Sequence, residues 1–420
     1  MPQATQVAER SSRRYQPNVP LIILSGCIIG ALSFGPRATL GLFLTPMSSE
    51  FGWGRDVFAF ALALQNLMWG VAQPFAGMMA DKFGTGRTLV LGAAIYATGL
   101  FLMSMSDTPL LLQVSAGVLV GLGVAFTSFS LVLAAFARSV QPKYHGIAFG
   151  IGTAASSFGQ FLFAPLGLGL IDNFGWSNAL VYMAALVILV PLFAYFLRGQ
   201  SAAAKTGGSV DPQNTMTLSQ ALALAFKTRD YILLIFGFFV CGFHVAFITV
   251  HMPTFIVDQG FSVSLGAWAL ALIGLFNIIG CMFSGVLGSR VPKQYLLSVI
   301  YLARAIAITL YISLPISEAS TLIFAATMGV LWLSTVPPTS GLVAIMFGPR
   351  FMATLFGIVF LFHQIGSFLG VWLGGVLYEK SGNYDAIWWL GIALGIFAAI
   401  VHWPIREQSA SKSALVRAPA

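Results

Sequence analysis

Apolar residues run through this chain in long unbroken stretches, separated by short polar turns. Twelve stretches stand out: 19–46, 56–79, 86–106, 108–137, 145–170, 176–197, 230–256, 264–288, 294–314, 319–346, 350–377 and 384–404. Each matches or exceeds the roughly 20 apolar residues that carry a helix across a bilayer. They are too long, and too poor in strict alternation, for barrel strands. The pattern predicts an all-α membrane protein of twelve transmembrane helices. The longest polar stretch, 198–229, falls after the sixth run, so it reads as a linker between six-helix bundles at 19–197 and 230–404. Residues 1–18 and 405–420 read as polar tails. The first apolar run has full spanning length and no small-residue cleavage site, so it is not read as a cleavable signal.

Composition strengthens this picture. Hydrophobic residues make up 58% of the chain and charged ones 8%, with mean hydropathy +0.87. A water-soluble domain carries about 25% charged residues. Disorder and a collagen-like or disulfide-stapled chain are excluded on the same ground. The net charge of +8 is distributed unevenly. With both termini placed in the cytoplasm, 17 of the 21 Lys and Arg residues fall on that side and only Arg55 and Lys380 on the other. This is the positive-inside signature. It predicts a multi-pass protein of the cell membrane, a bacterial inner membrane, with both ends cytoplasmic. A nucleic-acid partner would need a basic soluble face, and the sequence offers none. Cys27, Cys241 and Cys281 all lie in apolar runs without metal-ligand spacing, so they read as buried small residues.

The two halves share a faint repeat. Shifted by 208 residues, Ala61-Leu-Ala-Leu falls on Ala269-Leu-Ala-Leu, and Gly77 falls on Gly285. After the second run comes Gly77-Met-Met-Ala-Asp81-Lys82-Phe-Gly84-Thr-Gly86-Arg87, with a degenerate copy at Gly285-Val-Leu-Gly-Ser-Arg290. This segment resembles the loop signature of the major facilitator superfamily. The resemblance implies two pseudo-symmetric six-helix bundles with a site between them near the midplane. It also implies a conformational latch, in which Gly77 permits close helix approach and Asp81 caps a neighbouring helix or pairs with Arg87.

The decisive reading is a subtraction. Seventeen basic residues lie on one side and two on the other, which leaves Arg37 and Arg304 within the spans. Every acidic residue can be assigned to a loop, a helix end or a tail. The interior is therefore net positive with no carboxylate of its own. A mid-membrane arginine costs at least about 2.5–3.5 kcal/mol on insertion scales and usually marks a substrate path. The counter-ion that the chain does not supply must then come from solution. A small organic carboxylate, gripped by a guanidinium fork, fits that need. Around Arg37 the sequence Ser33-Phe-Gly-Pro36-Arg37-Ala-Thr-Leu-Gly41 predicts a helix locally broken at Pro36 and open to a cavity.

Pro-Arg followed by a small residue and a Phe-containing turn is similar to helix 1 of the monocarboxylate transporter group, where a Pro-Lys at this place carries the substrate carboxylate. Phe243-His244 with His251-Met-Pro253, and Lys143-Tyr-His145-Gly146-Ile-Ala-Phe-Gly150, add to the likeness. One position departs. The group commonly has an arginine where this chain has Cys281, and Asp or Asn one turn earlier, where this chain has Asn277. Arg304 is the remaining candidate for a second anchor, with packing against backbone carbonyls as its alternative role. His244 and His251 share a helix face, and at the repeat offset His244 falls within one residue of Arg37. His363, in Phe360-Leu-Phe-His363-Gln364, lies where the oxalate–formate branch carries a basic residue. The candidate substrate residues are thus Arg37, His363, His244, Asn277, His251, Arg304 and Asn66. Gln65, Ser128, Ser130 and Gln160 are weaker polar candidates, and Phe126, Phe129 and Trp332 a candidate apolar wall. His145 and His402 read as interfacial.

These features predict a secondary active transporter of a small organic anion, a monocarboxylate, working by alternating access with proton symport or anion exchange. A mid-membrane histidine, or the substrate itself, would carry the proton. The alternative cargo is a drug or other small molecule for export. No Gly-rich phosphate loop, metal-ligand cluster or catalytic set is visible, so neither cofactor nor metal nor enzyme activity is expected. Expected partners are the anion, protons and membrane lipid, with the protein a monomer.

Overall fold

The computed structural model describes residues 19–141, 145–198, 217–348 and 352–410. Ten helical runs within them are long and apolar enough to span a membrane. One of these, Gly150–Ala194, turns back on itself at Gly175, whose φ of 79° is open to glycine at little cost. It counts as two crossings. A twelfth is the 29-residue helix Arg55–Phe83, more polar than the rest.

We number the crossings α1 Val19–Phe51, α2 Arg55–Phe83, α3 Thr85–Met103, α4 109–139, α5 145–174 and α6 176–197. The second set is α7 Arg229–Asp258, α8 Val263–Leu287, α9 Lys293–Ser313, α10 Glu318–Phe347, α11 Met352–Ser381 and α12 Asp385–His402. Apolar side chains such as Leu192, Met282, Ile323 and Ile400 stand exposed on the outside, where lipid would cover them. Between α6 and α7 the polar stretch is not wholly irregular. Its end forms the short helix Leu218–Lys227, opened by a capping box of Thr217 and Gln220.

Three breaks shape the centre. In α1 the helix continues through Pro36 and tightens into a 3-10 turn only at Leu40–Phe43. The expected break at Pro36 therefore comes one turn later. The Thr39 hydroxyl donates to the Pro36 carbonyl at 2.7 Å within that turn. There Gly41 sits against the backbone of Thr249 and Val250 on α7, an approach that a Cβ would block. Helix α4 breaks at Thr127 and Ser128, and α10 breaks after Leu331 and resumes at Val336. Pro337 and Pro338 follow at that restart, where a missing backbone donor costs little. The two breaks sit one repeat length apart in sequence.

Helix α2 packs along α11, and α5 packs along α8. Exchanging each helix for the one six places away maps these pairs onto one another. The contacts between the first six and last six helices thus have two-fold symmetry about the central axis. The hairpin turns after α1, α7 and α11 lie at one end of the molecule, called here the distal end. The end where the linker helix enters is the linker end.

Candidate substrate site

A cavity lies on the axis between the two sets of helices. With its open mouth it encloses about 810 Å³ of empty space. Its wall is drawn from α1, α2, α4, α7, α10 and α11. The polar groups on it are few: Arg37, Gln65, Asn66, Thr249, His363, Gln364 and Ser367. Such a site is mostly apolar with a few placed polar groups, the usual character of a small-molecule pocket.

Among the described residues, Arg37 is the only Lys or Arg on this wall. The α1 turn at Gly41 carries the backbone against α7, and one turn below it the guanidinium enters the cavity. It donates to the Asn66 side-chain oxygen on α2. Its carbon lies 4.7 Å from the Trp69 ring centroid and 5.8 Å from that of Phe34. The Asn66 amide in turn donates to the Leu62 carbonyl at 2.8 Å, which fixes its oxygen toward Arg37. A neutral acceptor and two ring faces stabilise the charge without cancelling it. Arg37 Nε is buried and has no hydrogen-bond partner. Among the described residues only two ion pairs form, Arg55–Asp258 and Lys293–Glu407, both at helix ends. No described carboxylate reaches Arg37.

His363 lies across the cavity on α11. Its ring stacks on Phe360 at 5.6 Å, and Phe360 meets Trp69 edge-to-face at 5.3 Å. Its Nδ1 donates to the Gln364 oxygen at 3.2 Å, which leaves Nε2 as the basic nitrogen of the neutral ring. Ser367 donates to the same oxygen at 3.1 Å. Gln364 Nε2 is buried without a partner.

Four of the expected substrate residues sit elsewhere. His244 faces α12, where Nε2 donates to the Gly391 carbonyl at 2.7 Å. One residue is 100° of helix, and it is the neighbour Val245 that lines the cavity. His251 donates from Nε2 to the Val371 carbonyl at 2.8 Å and receives the Tyr384 hydroxyl on Nδ1 at 3.1 Å. It ties α7 to α11 beyond the cavity. Arg304 is completely buried in α9 and spans the α10 break, donating to the carbonyls of Leu331, at 2.6 Å, and Trp332. Those carbonyls lose their helical donors where α10 opens, and the guanidinium replaces them. Asn277 donates to Ser157 at 2.9 Å and accepts the Leu333 N–H at 3.0 Å, pinning α5, α8 and the same break. Cys281 donates to the Asn277 oxygen at 3.3 Å and is absent from the cavity wall.

Of the weaker candidates, Gln65 and Phe129 line the cavity, and Ser128 lines a small side pocket. Ser128 and Ser130 both receive the Gln73 amide at 2.9 Å. Gln160 donates to the Leu270 carbonyl at 3.3 Å, and Trp332 is buried behind the wall. Trp69, Gln364 and Ser367 complete the wall without having been singled out by sequence. Trp69 stands three residues after Asn66, on the same helix face, and that spacing was available to find it.

In the latch segment, a Cβ added at Gly77 or at its repeat mate Gly285 would touch nothing within 4 Å. The close approach expected of Gly77 is not made in this conformation. Arg87 is exposed at the start of α3, and the side chain of Asp81 lies outside the described set.

The distal end is closed by contacts between the two sets of helices. Arg55 at the start of α2 holds Asp258 at the end of α7 with two bonds, at 2.6 and 2.7 Å. Its guanidinium lies 3.8 Å from the Tyr378 ring centroid and donates to the Tyr384 hydroxyl at 3.2 Å. The Arg55 backbone N–H reaches Glu379 at 2.7 Å. Burial raises the Tyr384 phenol above its ordinary value, and the Arg55 charge opposes that rise. His251 belongs to this seal through Tyr384.

Two helical bundles packed about a central cavity, sealed at one end, form the architecture of a membrane transporter. The chain belongs to the Major Facilitator Superfamily, whose family profile matches residues 26–371. Similar curated proteins include an uncharacterized MFS-type transporter, YcxA, of Bacillus subtilis, 24% identical over 91% of this chain and 94% of that one. Monocarboxylate transporter 13 of Rattus norvegicus is 25% identical over 87% of this chain and 84% of its own. Among solved structures, a bacterial homolog of the lysosomal transporter Spinster, inward-facing and unoccupied, superposes with a TM-score of 0.72. It is 17% identical, over 97% of this chain and 100% of that one. The nucleoside transporter NupG superposes at 0.73 and 15% identity, over 91% and 99%. At such identities the structures speak for the fold alone.

Proposed function

We propose that this protein carries a small organic anion, a monocarboxylate, across the cell membrane by alternating access. One observation carries the reading: Arg37 projects into the central cavity with a buried, unpartnered Nε and no carboxylate among the described residues to neutralise it. An arriving carboxylate supplies the missing charge and accepts the free donor. A single guanidinium calls for a single carboxylate. The likeness to monocarboxylate transporter 13 supports this choice. The positive-inside distribution supports a cytoplasmic linker end, with the sealed distal end outside.

The cycle follows from the charge. An unpaired guanidinium resists occlusion, because closing the cavity removes its water. Bound substrate forms a paired charge that crosses the closed state at lower cost. Coupling is by proton symport or anion exchange. For symport, His363 is the histidine on the wall and the candidate proton carrier. An exporter of apolar drugs would suit the aromatic lining, but it leaves Arg37 without a counter-ion among the described residues.

The test is uptake of a labelled monocarboxylate panel into proteoliposomes, with and without a pH gradient. Arg37→Ala should abolish uptake while the protein remains folded and inserted. Full uptake by that variant would reject the assignment. His363→Ala should lose pH-driven accumulation and keep exchange; an unchanged pH profile would remove His363 from the coupling.

A further inference from the structure

Six aromatic side chains line the cavity that holds Arg37: Phe34, Trp69, Phe129, Phe238, Phe356 and Phe360. A two- or three-carbon acid on Arg37 would leave most of these rings without an apolar partner. The positions of these rings matter as much as their number. Arg37, Phe34, Trp69 and Phe129 belong to the first six helices, and Phe238, Phe356 and Phe360 to the last six. The Trp69 ring is 4.7 Å from the Arg37 guanidinium, and the Phe360 ring is 5.3 Å from that of Trp69. A ligand shifts a conformational equilibrium only through contacts that differ between the two states. To draw the bundles together it must touch both.

Resting on the monocarboxylate reading above, we propose that the carried anion has a ring-sized apolar body, with its carboxylate on Arg37 and its body against the aromatic wall of the second bundle. Phe360 is then a residue that sets specificity. A second carboxylate on the same ligand would meet aromatic carbon, since among the described residues Arg37 is the only Lys or Arg on the wall.

Pyruvate and phenylpyruvate share one head group and differ by a phenyl ring, so their ratio isolates the body. With the full chain in proteoliposomes, phenylpyruvate should bind about 30-fold more tightly than pyruvate, the scale of burying one phenyl side chain. Phe360→Ala should reduce that ratio at least fivefold and leave pyruvate binding within about threefold. Equal binding of the two acids by wild-type protein, both lost in Arg37→Ala, would overturn the ring-sized body and keep the anion site. An unchanged ratio in folded Phe360→Ala would also overturn it. If 2-phenylethylamine binds as well as phenylpyruvate and Arg37→Ala affects neither, the anion site itself fails and the proposal with it. The wild-type ratio needs no variant, so the test survives a misfolded Phe360→Ala.

Discussion

Replacing Arg55 with alanine should open the distal end of the molecule. The side chain makes three kinds of contact across the two bundles: the two-bond pair with Asp258, the ring face of Tyr378 and the hydroxyl of Tyr384. The pair is partly exposed, with side-chain exposures of 17% and 26%, so it contributes about 0.5–1 kcal/mol. The ring contact adds about 0.5–1 kcal/mol, and the hydroxyl bond about 0.5 kcal/mol or more. The bond from the Arg55 backbone N–H to Glu379 survives the substitution. The side chain thus favours the sealed state by about 2 kcal/mol, which is about 30-fold in population. Spin labels at Ser49 on α1 and Ser264 on α8, both exposed at the distal end, would read the opening as a second, longer distance. Asp258→Asn should produce about half the effect, because the Tyr contacts remain. Identical distance distributions for wild type and Arg55→Ala would refute the reasoning that this cluster holds the bundles closed.

Three other outcomes follow from the same geometry. Arg304→Met leaves the Leu331 carbonyl without its guanidinium donor and the Trp332 carbonyl with only the weak Cys241 thiol, and should cost about 1–3 kcal/mol in a detergent unfolding titration. Gly77→Ala meets open space here, so it should leave the thermal stability of this state within about 0.5 kcal/mol. If the latch closes in the opposite state, the same change should slow transport several-fold, measured as exchange in proteoliposomes. Val245→Lys places a second cation on the cavity wall, and should raise affinity for phenylsuccinate over 3-phenylpropionate at least tenfold in competition assays.

The spans were legible because the bilayer demands length and apolarity, and both are written in one dimension. Depth was legible too: Arg37, Asn66 and His363 were expected near mid-membrane, and all three line the cavity. What the sequence withheld was azimuth. Helix α7 is apolar on every side and buried around most of its circumference, so its hydrophobic period points nowhere. His244 and His251 therefore sit on faces that meet α12 and α11, and His251 lies beyond the cavity, toward the distal seal. Arg304 shows the converse. Its role depends on a break in α10, and the tandem prolines mark only where the helix restarts, not which carbonyls the break frees.

The repeat sharpens what each buried arginine does. Moving 208 residues from Arg37 leads to Val245, which also faces the cavity. Moving back 208 from Arg304 leads to Tyr96, a buried residue of α3 whose hydroxyl has no partner. Neither cation has a charged mate in the other half. A symmetric pair at the first position would set two like charges on one cavity and favour a dianion. A symmetric pair at the second would place another unpaired charge in the packing between helices, with no ligand to relieve it. Arg304 is tolerated because broken-helix carbonyls already present partial negative charge, whereas the counterpart break in α4 is stabilised by Thr127, whose hydroxyl donates back to the Gly123 carbonyl at 2.9 Å. One half thus spends its arginine on structure and the other on the cavity. Among the described residues, that asymmetry leaves Arg37 on the cavity between the two bundles with no ion-pair partner.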